Sequence, residues 1–242
     1  MTKHVSTGKS MGVNFLPDLA TEAPLWLALV TVGVNAIVGA LRASVDDEHH
    51  WDIVGMATFA LLTGLGGGFI RDFLIGNLPA ESLRTPWYLL TVLGAMLIVL
   101  LFGQWMSRVT ILMTLLQAIA VGLFAVVGTA YALRADLPIV SALLVGVITA
   151  VGGGTLVSVM KGEVPQILLA SSPNALVALL ASGVYAATQV WSARAAGVAG
   201  IVAAIAARYI TDHLGLQTRR ATSASALLLT RAEKTDEPRK HD

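Results

Sequence analysis

Arg71 and Asp72 stand side by side three residues beyond a run of three glycines, in TGLGGGFIRDFLIGNLPA at residues 63–80. Inside a membrane segment a charged group is costly, faces the protein interior and marks an ion or substrate path. At a membrane surface the same pair would only cap or snorkel. Neighbouring residues on a helix point about 100° apart, so the two cannot line one narrow face together. One of them can instead set the surroundings of the other. A second stretch, TAVGGGTLVSVMKGEVPQ at residues 149–166, carries Ser158 and Lys161 after its own triplet. Lys161 can repel or gate cations, or hold an anionic lipid headgroup at the membrane surface. It can equally be an interfacial lysine partnered by Glu163.

The remaining polar groups suggest less. Asp46-Asp47-Glu48-His49-His50 reads as a solvated acidic loop that raises local cation concentration, since consecutive histidines are poorly preorganised metal ligands. Asp136 reads as turn and cap chemistry before Pro138. Asn35, Gln117 and Gln189 are intramembrane polar residues, with interhelical hydrogen bonding as their default and pathway lining second. No HExxH, phosphate loop or His-Asp-Ser set is present, so we expect no enzyme, no metal site and no cofactor.

The elements that position these groups are set by composition. The 242 residues are 55% hydrophobic and 13% charged, with a mean hydropathy of +0.74. Soluble domains carry roughly 25% charged residues, so this is a polytopic membrane chain whose solvent is the bilayer. A net charge of +1 with no basic stripe argues against nucleic acid, and zero cysteines exclude disulfides and thiol chemistry. A crossing helix needs about 20 apolar residues. Seven such segments are expected, at 25–43, 52–76, 86–103, 109–132, 138–162, 173–191 and 194–212. All five tryptophans (Trp26, Trp51, Trp87, Trp105 and Trp191) lie near segment ends, as an interfacial belt requires. Residues 1–24 read as a polar N-terminal segment without a signal-peptide core, and 213–242 as a polar, disordered tail.

The two triplets belong to a repeat. At an offset of 86, Thr63 pairs with Thr149, Gly66, Gly67 and Gly68 with Gly152, Gly153 and Gly154, Gly76 with Gly162, and Pro79 with Pro165. Gly33 and Gly39 pair with Gly122 and Gly128 at an offset of 89, and Pro86 with Pro173 at 87. Each copy, 25–103 and 104–192, holds three segments, and 193–212 supplies a seventh alone. An odd number of spans starts the second copy from the opposite side, so the copies form an inverted repeat, an architecture of transport proteins. Glycine lowers helix propensity by about 1 kcal/mol relative to alanine. The second and fifth segments are therefore expected to be broken or kinked at the triplets, with Thr63, Thr149 and the glycines facing a polar path. Close helix packing is the competing use of small residues. Lys and Arg flanking the segments lean toward a cytoplasmic C-terminus.

These motifs, GGG-x-x-R-D-x-x-x-G-x-x-P and its echo in a three-plus-three-plus-one layout, resemble the prokaryotic branch of the trimeric intracellular cation (TRIC) channels. That family also carries a "glycine transporter" domain label. The resemblance spans residues 25–212. It implies a homotrimer in the inner (plasma) membrane, with potassium passing through one pore per subunit lined by the second and fifth helices. It places the kinks at Gly66–Gly68 and Gly152–Gly154, the motif charges at Arg71 and Asp72, and the lysine-bearing segment at Lys161, Glu163 and Val164. In the second copy Val157-Ser158 replaces the Arg-Asp often found there, leaving Asp72 the only motif acid. A secondary transporter of a small solute such as glycine fits inverted repeats equally well. A lipid-organising scaffold without a pathway is the third reading.

Overall fold

A computed structural model describes residues 25–46, 49–107, 110–165, 167 and 174–214, with side chains undescribed at 104–107 and 110–111. Among them every regular element is helical. The order is α1 (Leu25–Ser44), α2 (Ile53–Leu74), a one-turn α3 (Glu81–Arg84), α4 (Pro86–Ser107), α5 (Thr110–Arg134), α6 (Ile139–Lys161), α7 (Asn174–Thr188) and α8 (Ala193–His213). Hydrophobic length alone sets most of these bounds, because a helix in hydrocarbon keeps every backbone hydrogen bond internal until it meets water.

Among the described residues, six of the helices are long and apolar enough to cross a membrane. The segment expected at 173–191 is the exception. Its helix α7 has 15 residues, about 22 Å of rise against a hydrocarbon core of about 30 Å. Thr188 is followed by turns at Gln189–Trp191. Residues 1–24, read above as a polar segment, and 215–242 of the tail read as polar and disordered lie outside the described residues, as do Asp47 and Glu48.

Packing follows the two copies. In the first, α1 lies against α2 and α4; in the second, α5 lies against α6 and α7, with α8 covering α5 and α7. One core joins Val32, Ala36, Leu41, Ala60, Tyr88 and Val92, and another joins Phe124, Ala125, Val177, Ala178 and Ala181. The copies meet where α2 crosses α6 and where α1 meets α5. Leucines on α4, such as Leu89, Leu93, Leu97 and Leu101, point outward, as a lipid-facing surface requires.

The expected breaks at the triplets do not occur. α2 runs as helix through Gly66–Gly68 and α6 through Gly152–Gly154. Both helices stop later, and in the same way. Gly76 and Gly162 adopt φ of 72° and 73°, the left-handed conformation that a Cβ disfavours. Asn77 N–H donates to Asp72 O at 2.8 Å and Glu163 N–H to Ser158 O at 2.9 Å. These are the long bonds of a Schellman turn. α5 ends similarly, with Asp136 in the left-handed position at φ 56°, which is the capping use expected for it.

Candidate functional site

The triplets earn their place by contact. A Cβ on Gly67 would collide with the Thr149 carbonyl oxygen, and one on Gly153 would lie 2.6 Å from the Thr63 oxygen and 2.8 Å from that of Leu62. A Cβ on Gly66 would meet Leu156 Cδ1 at 2.7 Å, and one on Gly152 would meet Ile70 Cδ1 at 2.9 Å. Thus 63 faces 153 and 67 faces 149, an antiparallel crossing of α2 on α6 at backbone distance. Small residues permit this approach, and the weak helix propensity of glycine is overridden because hydrocarbon offers the backbone no other partner. Gly68 has open space instead, and Gly154 faces Arg42 Nη1.

The threonines do the same job in each copy. A Cβ on Gly39 would lie 2.7 Å from the Thr63 side chain, and one on Gly128 would lie 2.6 Å from Thr149 Oγ1. Their hydroxyls differ. Thr149 donates to Val145 O at 2.6 Å, whereas buried Thr63 Oγ1 has no partner among the described residues.

Thr63 opens on a cavity of about 60 Å³ lined also by Asn35, Arg42, Gln117, Gly154 and Ser158. A second space, about 20 Å³, is lined by Thr31, Gly64, Gly68, Arg71, Glu81 and Tyr88, with room for about one water. Asn35 lines the larger space, and its Nδ2 donates to the O of Thr31, a residue that lines the smaller, at 2.9 Å and across to Ala120 O at 3.4 Å. That amide serves as the interhelical hydrogen bond expected of it and also lines the larger cavity.

Arg71 and Asp72 are buried at the C-terminal end of α2 and paired to each other. Arg71 Nε donates to Asp72 Oδ1 at 2.8 Å, and Nη2 lies 2.7 Å from the same oxygen. The other carboxylate oxygen accepts from Glu81 N–H at 2.8 Å, holding the start of α3. Glu81 in turn lies 3.5 Å from Arg71 Nη2 and accepts from the Tyr88 hydroxyl at 3.1 Å and the Tyr131 hydroxyl at 2.5 Å. The Arg71 guanidinium rests 3.8 Å over the Tyr131 ring. The adjacency that keeps the pair from sharing one face lets Arg71 fold back onto Asp72. Two carboxylates meet one arginine directly, and a second, Arg134, stands 5.5 Å from the Tyr131 ring.

The opposite end of the crossing is held by Lys161. Its Nζ lies 2.9 Å from Asp46 Oδ2 and 2.5 Å from Glu163 Oε1. The partnership with Glu163 is the interfacial reading given above; Asp46 was unforeseen. Asp46 also accepts from Trp51 Nε1 at 2.7 Å, so this end of the acidic loop is a built anchor. Trp51 packs inward on Phe59, while Trp26, Trp87 and Trp191 are exposed. Ser158 is buried and borders the larger cavity. Among the described residues no group of His, Asp and Glu could hold a metal.

Sequence reasoning missed Glu81, Tyr88, Tyr131 and the inward use of Arg42. Glu81 and the tyrosines carry no spacing signal, being brought together by a loop and by a helix fifty residues away. Arg42 was readable, because it lies inside the 25–43 segment and an intramembrane arginine is a functional candidate by default.

Known proteins share this architecture. Residues 25–104 and 114–190 match the sequence profile of a family described as "Glycine transporter". A TRIC trimeric intracellular cation channel orthologue from Rhodobacter sphaeroides is 32% identical, with a TM-score of 0.70 over 79% of this chain and 98% of that one. A structure solved for the basis of conductance through TRIC cation channels is 27% identical, with a TM-score of 0.71 over 81% and 96%. A UPF0126 membrane protein of Deinococcus radiodurans is 32% identical over 143 residues, 59% of this chain and 65% of that protein. The UPF0126 inner membrane protein YadS of Escherichia coli K12 is 31% identical over 144 residues, or 59% and 68%. The matched stretch thus spans about two thirds of the length of these last two relatives.

Proposed function

The chain belongs to the TRIC family, in its prokaryotic branch, and on that premise we propose that it is a channel for monovalent cations, chiefly potassium. The observation that carries the reading is the likeness to the Rhodobacter sphaeroides TRIC orthologue across 98% of that chain. The interior supports it. Two spaces with polar side chains in their lining lie among α1, α2, α5 and α6, and the Glu81 carboxylate lines the smaller. A negative lining lowers the cost of a desolvated cation.

In this reading the chain forms a homotrimer with one pore per subunit, in the inner (plasma) membrane, with the C-terminus cytoplasmic. Seven spans make two inverted three-helix repeats plus α8. The recurring Gly39–Thr63 and Gly128–Thr149 contacts and the matched helix ends support the repeat. Thr63, Gly68, Gly154 and Ser158 border the path. Gly66, Gly67, Gly152, Gly153 and Thr149 hold α2 and α6 at contact distance beside it. Arg71 and Asp72 close one end, and Lys161 the other. No cofactor is required, since conduction needs only the permeant ion.

The "Glycine transporter" description favours a second reading, a carrier of a small solute. Reconstitution in planar bilayers separates the two. Unitary currents reversing near the potassium equilibrium potential are the expected result. Saturable glycine flux without unitary currents would establish the carrier. Asp72→Asn is expected to lower cation conductance, and an unchanged reversal potential under ion gradients would remove Asp72 from the path.

A further inference from the structure

Four elements meet at Glu81. Its Oε1 accepts from the Tyr88 hydroxyl of α4 at 3.1 Å, and its Oε2 accepts from the Tyr131 hydroxyl of α5. The same Oε2 lies 3.5 Å from Arg71 Nη2 of α2, and the Glu81 N–H donates to Asp72 Oδ2 at 2.8 Å. The segment that carries it, residues 77–85 between α2 and α4, has little else to hold it. Within that segment Ala80 alone is buried, while Leu78, Leu83 and Arg84 are exposed. Segments with few buried contacts open at low cost. This one is tied into a unit, because Arg84 donates to Pro79 O and to Asn77 Oδ1, both at 2.9 Å.

The same place is the tighter of the two spaces. At about 20 Å³ it has room for about one water, and a cation carrying its water shell needs more. Of the residues that line it, Glu81 and Ser82 alone lie outside α1, α2, α4 and α5. The others are fixed by helix packing, so widening at this end falls to the 77–85 segment. Two of its own groups favour leaving. Ser82 Oγ and Thr85 Oγ1 are buried without a hydrogen-bond partner among the described residues, a deficit that water repairs once the segment lifts. Gly76, left-handed and with no neighbour within 4 Å of a Cβ position, stands at its root.

We propose that residues 77–85 form a strap closing this end of the cation path, with Glu81 as its latch and the Tyr131 hydroxyl as the principal catch. The inference rests on the channel reading. Latched, the strap leaves room for one water. Released, it widens the smaller space and hydrates Ser82 and Thr85, so two arrangements of one short segment compete. Asp72 acts on the latch through Arg71, for which it competes with Glu81. With Asp72 made neutral, Arg71 turns to Glu81 and the latch tightens, which is the direction in which Asp72→Asn lowers conductance.

The chain has no cysteine, so Ser82→Cys places a single thiol in the strap. The purified full chain in neutral detergent is then treated with a charged thiol reagent. Modification is expected to be slow, and about tenfold faster when Tyr131→Phe removes the catch and keeps the ring under Arg71. Single-channel records in planar bilayers give the second readout. Tyr131→Phe should raise open probability and leave unitary conductance unchanged, a split that loss of a merely structural or path-lining group does not produce. Tyr88→Phe should act in the same direction and more weakly. Melting curves and size-exclusion profiles establish that each variant is folded. Should Tyr131→Phe not fold, Tyr88→Phe must speed the modification. A modification rate indifferent to both tyrosine substitutions overturns the strap, as does a lowered open probability. Faster modification without currents in any variant keeps the strap and sinks the channel; currents with unchanged modification do the reverse.

Discussion

The C-terminal ends of α2 and α6 are built on one turn and do different things with it. Each ends in a left-handed glycine, Gly76 or Gly162, and each returns a long bond to the residue at the matched position, Asp72 or Ser158. At the first end that residue's side chain is an acid locked to Arg71 and to the start of α3. At the second it is a hydroxyl facing an open polar cavity, and the charge moves three residues on to Lys161. The turn is the same at both ends and the electrostatics are not. At both ends, moreover, the first copy supplies acids that reach across (Asp46 at one, Asp72 and Glu81 at the other), joined at the Lys161 end by Glu163 of the second copy. The second copy supplies a partner at each end, Lys161 at one and Tyr131 at the other. Similar backbones therefore close into one body through unlike side chains, and the asymmetry itself joins the halves.

The largest test of that contrast removes the matched side chains. Asp72→Ala strips Arg71 of its nearest acid, leaving Glu81 at 3.5 Å, and frees the Glu81 N–H, and it should cost about 3 kcal/mol. Ser158→Ala removes a hydroxyl beside a cavity that water can fill, and it should cost under about 1 kcal/mol. Denaturant melts followed by tryptophan fluorescence would compare them. Equal costs would mean that the ion pair adds nothing to the shared turn.

Next in size are the triplets, whose glycines differ within one helix turn. Gly67→Ala pushes a methyl into the Thr149 carbonyl, and overpacking of this kind costs about 1–3 kcal/mol. Gly68→Ala meets nothing within 4 Å and should be neutral, or stabilising by up to about 1 kcal/mol from helix propensity. If the triplets served as hinges, both substitutions would alter conduction alike. Contact predicts that only Gly67→Ala damages the fold.

Helix positions were legible in the sequence because membrane length and turn chemistry are local. Predicted segments 25–43, 52–76 and 138–162 lie within two residues of α1, α2 and α6 at each end. The pairing of Gly76 with Gly162 and of Thr63 with Thr149 was legible for the same reason, since Gly and Thr mark backbone geometry. What the triplets do was not, because a small residue at a hinge and one at a crossing look identical until the opposing carbonyl is placed. The acid cluster was half legible. Arg71 and Asp72 are neighbours in sequence, but Glu81 arrives through a loop that Asp72 itself pins, and Tyr131 through tertiary packing of α5 on the first copy. Arg42 was visible as a charge, though not as one without a hydrogen bond or ion pair among the described residues. Solitude is a property of the whole neighbourhood, so no spacing rule reports it.

Lys161 tests the other end. Lys161→Met keeps the stem and removes the charge, leaving Asp46 with Trp51 Nε1 and the His49 N–H as donors. A hydrogen-bonded, partly buried charge pair is worth about 1.5 kcal/mol or more, less than Asp72→Ala because Asp46 keeps other donors. Tryptophan emission should shift as Trp51 loosens. A cost matching that of Asp72→Ala would place the two ends on an equal footing and remove the asymmetry.

The smallest expected effect concerns what the two ends share. Alanine at Gly76 or Gly162 must hold φ near +72°, where its Cβ crowds the following carbonyl. Neither position has a neighbour within 4 Å, so only the backbone cost remains, about 1 kcal/mol, and it should be the same at both sites. Gly76→Asn and Gly162→Asn should recover part of it, because asparagine tolerates the left-handed region. Equal values would isolate the turn as the conserved element of the repeat and assign every larger difference to side chains. An excess at Gly76 would instead mean that its turn sets the aim of Asp72 at the Glu81 N–H. The shared geometry would then be part of the charge cluster, and the two ends would differ in backbone as well as in chemistry.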